Sequence, residues 1–105
     1  DVSLLKALVG DEPTVIREFL HDFRISAAKT AAELRVACEG RQAAQAGALA
    51  HKLKSSARSV GALMLGELCA DIERAGKASQ ASALAALLSR FEAEMATVDE
   101  YLSSV

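Results

Sequence analysis

The sequence predicts an all-α fold: an antiparallel four-helix bundle in up-down-up-down order, with a short additional helix at the N-terminus. Three observations predict it. Ala and Leu, which favour helices, number 22 and 14 among 105 residues, against 13 β-branched residues. The single proline is Pro13, so the rest of the chain is free of the strongest helix breaker. Gly- and Ser-containing punctuation divides the chain into segments whose apolar residues recur every three or four positions. The length fits one domain, residues 1–105.

Residues 3–9 (SLLKALV) predict the short helix, closed by Gly10. Asp11 is a good N-cap for the first long helix, and Pro13 is tolerated in its first turn. Its apolar stripe is Ile16, Phe19, Leu20, Phe23, Ala27, Ala31, Leu34 and Cys38, ended by Glu39-Gly40. The next helix, about Gln42 to Ser59, carries Ala46, Leu49, Ala50, Leu53, Ala57 and Val60, with Gly61 as its stop. The third starts near Ala62, places Leu65, Leu68, Cys69, Ile72 and Ala75 on one face, and fades from Gly76 to Ser79. The fourth runs from about Gln80 to Leu102, with Leu84, Leu87, Leu88, Phe91, Met95, Val98 and Leu102 in near-heptad order. Short connections favour antiparallel neighbours, with the outer helices longer than the central pair. Cys38 and Cys69 lie on apolar stripes, without metal or redox spacing, and read as core thiols.

The net charge of −2 argues against a nucleic-acid binder. The distribution is uneven: residues 41–77 hold six basic and three acidic side chains, while both flanks are acidic. A basic middle on an acidic chain points to a local anion site. With no apolar run of membrane-spanning length, the expectation is a cytoplasmic domain without membrane contact. The start at Asp1, with no Met, gives the expectation of a domain excised from a larger signalling protein.

Two histidines compete for attention. At 100° per residue His51 falls about 140° from the centre of its helix's apolar stripe, on the solvent side. His21 also points outward, so exposure does not separate them. Their neighbours do. Gly47 and Ala48 lie one turn before His51, Ala44 a turn further back, and Ser55 one turn after, so the ring stands clear of bulky side chains. Lys54 and Arg58 follow at i+3 and i+7, where cationic chains can meet an anion held by the ring. His21 has Arg17, Glu18, Arg24 and Ile25 around it and reads as a surface residue.

The segment Ala50-His51-Lys52-Leu53-Lys54-Ser55-Ser56-Ala57-Arg58-Ser59-Val60-Gly61-Ala62 resembles the signature of histidine-containing phosphotransfer (HPt) domains, the intermediates of multistep His–Asp phosphorelays. Ser55 stands where glycine is commonest. Leu68-Cys69 with Ile72-Glu73, and the helix order, also look like the family. The resemblance implies that His51 is the phosphoryl acceptor and donor, and that Lys54 helps hold the phosphoryl oxygens. It also implies that small residue 55 leaves room for a partner. A polar residue on the following helix commonly faces the histidine, and Glu73 falls there. Gln is familiar at that place, so Glu73 either contacts the phosphate or orients the imidazole N–H.

The expected function is therefore a phosphorelay carrier rather than an enzyme. His51 takes a phosphoryl group from a receiver-domain aspartyl phosphate and passes it to another receiver Asp. Lys54, with Arg58 as a weaker candidate, offsets charge, while Ala44, Gly47, Ala48 and Ser55 form the receiver-docking face. The chain has no Gly-rich phosphate loop, Walker-type Lys or carboxylate cluster for Mg²⁺, so no cofactor or metal is expected in this domain. Mg²⁺ is expected in the partner receiver. Two alternatives remain: a helical module that docks receivers without carrying phosphate, and an HPt domain phosphorylated directly by an ATP-dependent histidine kinase attached in cis. A general-base enzyme lacks the cleft and partner groups it would need.

Overall fold

The computed structural model describes residues 13–104. They form four helices: α1 (Pro13–Glu39), α2 (Ala43–Ser59), α3 (Leu63–Lys77) and α4 (Ala81–Ser103). The expected helix at 3–9 and the Asp11 cap lie outside the described residues. Among the described residues there is no strand.

Each helix packs on its neighbour in sequence, and α4 returns to α1. Paired contacts give the relative directions. Arg24 bonds Asp99 while Arg35 bonds Glu92, so α1 and α4 run opposite ways. Gly47 lies against Gly76 and Arg58 over Gly66, so α2 and α3 do the same.

The core follows the 3.6-residue period. In α1 the buried line is Ile16, Leu20, Phe23, Ala27, Thr30, Leu34 and Ala37. This corrects the sequence expectation at its edges. Phe19 is 41% exposed, Ala31 and Cys38 are only partly buried, and Thr30 and Ala37 take inner positions. The six expected residues of α2 and the five of α3 are all buried. In α4, Leu84, Leu88, Phe91 and Leu102 are buried, and Leu87, Met95 and Val98 pack on them half-exposed. Both cysteines are free thiols, and burial pushes Cys69 up to about 12.

The three connections are built alike. In each, one residue takes a left-handed conformation after the helix: Arg41 (φ 55°), Gly61 (φ 79°) and Ser79 (φ 54°). The residue that follows reaches back five positions to a helical carbonyl: Gln42 to Ala37, Ala62 to Ala57, Gln80 to Ala75. These are Schellman closures, which satisfy otherwise orphaned carbonyls. Gly61 was expected at such a stop. At the end of α1 the left-handed residue is Arg41, one position beyond the expected Gly40, and at the end of α3 it is Ser79.

Candidate functional site

Helices α2 and α3 make the most extensive contact in the bundle, and two glycines allow it. A Cβ added to Gly76 would lie 2.6 Å from the Ala43 carbonyl oxygen and 2.8 Å from the Gly47 Cα. The helices therefore touch backbone to backbone, and the missing side chains leave an open cleft of about 490 Å³ beside the crossing. Its lining includes Ala44, Gly47, Ala48, His51, Glu73 and Lys77.

Glu73 organises this cleft from α3. Although its carboxylate belongs to a buried residue, it has three partners. Lys54 Nζ donates to Oε1 at 2.6 Å, and His51 Nδ1 lies 2.8 Å from Oε2. Lys77 Nζ stands 3.5 Å from the same Oε2. The hydrogen bond from Lys54 is the largest influence on the acid, followed by opposing desolvation and then by the bond to His51. Together they draw the carboxyl down from 4.5 to about 2. At neutral pH Glu73 is thus ionised and only accepts hydrogen bonds. Nδ1 of His51 must be the donor, which leaves the lone pair of a neutral ring on Nε2. The ring is 66% exposed, so an imidazole of fixed tautomer is presented to solvent.

The residues singled out from the sequence are not all placed together. His51, Lys54 and Glu73 form one bonded cluster. Arg58 lies over Gly66, two turns of α3 before Glu73, outside that cluster. Ala44 and Ala48 are exposed on the cleft, whereas Gly47 is buried at the helix crossing, where its small size first serves packing. Ser55 is exposed on another flank, in a groove between α1 and α2 that includes Phe19 and Phe23. His21 is exposed among α1 residues near the end of α4. Sequence reasoning missed Lys77 and Phe19. Lys77 sits four residues after Glu73, the spacing at which a helix pairs an acid with a base, and that signal was present. Phe19 was assigned to the core because its spacing fits the stripe's edge. Among the described residues no group of three His, Cys, Asp or Glu side chains is arranged to hold a metal ion. No described helix is long and apolar enough to cross a membrane.

The family model of the Hpt domain matches residues 18–101. The chain belongs to the Hpt-domain family. The match runs from the second turn of α1 almost to the end of α4, so most of α1, all of α2 and α3, and nearly all of α4 of this Hpt domain lie within it. Hpt domains are histidine phosphotransfer modules of phosphorelays and interact there with receiver domains. No curated protein and no solved structure gives a match.

Proposed function

We propose that His51 of this Hpt domain accepts a phosphoryl group from a receiver-domain aspartyl phosphate and passes it to a second receiver Asp. The observation that carries the reading is the exposed imidazole whose Nδ1–H is anchored on an ionised, buried Glu73. In the forward step the Nε2 lone pair attacks phosphorus. The bond from phosphorus to the aspartyl oxygen breaks, and its electron pair leaves on the receiver's carboxylate. The Nδ1 proton stays against Glu73, which offsets the positive charge that develops on the ring. In the onward step a second receiver carboxylate attacks phosphorus, and the N–P electron pair returns to Nε2. Such transfer rests on positioning and charge neutralisation rather than on a base.

Lys54 neutralises Glu73 and so keeps a bare carboxylate away from an incoming phosphoryl group. Arg58, two turns after His51 on α2 with its side chain over Gly66 of α3, stands outside the cluster and does not share that task directly. Ala44, Ala48 and Ser55 leave both flanks of His51 low, and Phe19 adds an apolar contact beside Ser55. In this reading the partner receiver supplies Mg²⁺ and this domain binds no cofactor. The helices follow up-down-up-down order, and the domain works in the cytoplasm as part of a larger signalling protein.

The test is label transfer from receivers phosphorylated with radioactive phosphate. Wild type and His21→Gln should acquire acid-labile, alkali-stable label, and His51→Gln should acquire none. Label persisting in His51→Gln would refute the assignment.

A further inference from the structure

Glu73 has more cationic partners than one carboxylate needs. Lys54 is mostly covered and bonded at 2.6 Å, so it belongs to the frame. Lys77 differs in every respect. Its side chain is 77% exposed, its ammonium stands 3.5 Å from an oxygen already taken by His51, and it lines the same open cleft as the imidazole. At that distance the contact is an ion pair rather than a well-formed hydrogen bond. Other cations nearby are placed elsewhere: Arg74 is bonded to Asp71, and Arg58 lies over Gly66.

We propose that Lys77 is the mobile phosphate-gripping cation of this site, leaving Glu73 to engage the phosphoryl oxygens once His51 is phosphorylated. The inference rests on the phosphoacceptor reading of His51 and names a residue that this reading did not require. A dianionic phosphoryl group competes well for the ammonium, because charge-assisted bonds to its three oxygens replace a long contact to a carboxylate already satisfied by Lys54 and His51. The four-carbon lysine stem, free in solvent, allows the exchange without moving α3. No bond in the transfer is made or broken by Lys77. It is a positioning residue, engaging the phosphoryl group as Nε2 takes it and holding it afterwards.

The experiment phosphorylates the purified domain with phosphoramidate, which needs no receiver, and locates the label by mass spectrometry. The ionisation of the attached phosphoryl group is then titrated by phosphorus NMR in wild type, Lys77→Gln, Lys77→Arg and Arg58→Gln. Losing a neighbouring cation raises the midpoint of that ionisation, by roughly 0.3 to 0.7 for an exposed pair in Lys77→Gln. Lys77→Arg restores the wild-type midpoint, and Arg58→Gln leaves it unmoved. Transfer from a phosphorylated receiver slows about threefold to tenfold in Lys77→Gln, with the loss in kcat rather than KM. A wild-type midpoint in Lys77→Gln, on a domain labelled at His51, overturns this proposal alone. A wild-type domain that takes no label at His51 from phosphoramidate or from receivers overturns the phosphoacceptor reading and this proposal with it.

Discussion

At the scale of single residues the site is organised by one shared carboxylate. Glu73 takes the Nδ1–H of His51 and the ammonium of Lys54, and its lowered pKa makes the cluster sensitive to acid. The sign follows from linkage: a carboxyl drawn below its unfolded value stabilises the fold fully above about pH 4.5, and loses that contribution as pH falls toward about 2. Urea midpoints of wild type should therefore fall across that window, and those of Glu73→Gln should fall less steeply. Equal slopes would show that Glu73 is not the group responsible. The proposed site was legible in the sequence because small residues flank His51 along its helix, Ala44 and Ala48 before it and Ser55 after it, and because the surrounding segment resembles a family signature. The role of Glu73 as a shared acceptor was only half legible. A position on a helix says which side chain faces inward, but not that two neighbouring cations and an imidazole will converge on it.

At the scale of elements, two kinds of backbone contact fix the frame. The first is the α2–α3 crossing. Gly76→Ala must push a methyl into the Ala43 carbonyl and Gly47, and should destabilise the domain by about 1–3 kcal/mol in chemical unfolding. A neutral result would mean that the helices separate there at little cost. The second is the set of Schellman closures. Ser79 is an L-residue held at φ 54°, a region glycine occupies freely, so Ser79→Gly should gain about 0.5–1 kcal/mol. The extents of the four long helices were readable because the apolar period is strong and each connection between them has only three residues. The turn residues were less readable. Gly61 advertised its role, whereas Arg41 and Ser79 take left-handed geometry because the closure bonds from Gln42 and Gln80 demand it. Phe19 shows the limit of periodicity: spacing places a residue within a turn of the stripe, and the approach of α2 decides whether its ring is covered.

At the scale of the whole molecule, one apolar core is shared by four helices, and Phe91 is among its largest fully enclosed side chains. Phe91→Ala should lower stability by about 3–5 kcal/mol, with a single coincident transition in circular dichroism and fluorescence-labelled unfolding. A loss confined to α4 would show instead that the bundle is not one cooperative unit. The seams around that core are unequal. The α2–α3 seam is sealed by touching glycines and by the Lys54–Glu73 bond. The α1–α4 seam is stitched on its surface by Arg24–Asp99 and Arg35–Glu92, charges that salt screens. Hydrogen exchange should accordingly register α1 and α4 loosening first as ionic strength rises, while amides around His51 stay protected longest. Partial opening of the domain would leave the imidazole's mounting undisturbed, so a phosphoryl group stored there would ride out fluctuations that transiently part the opposite side of the bundle.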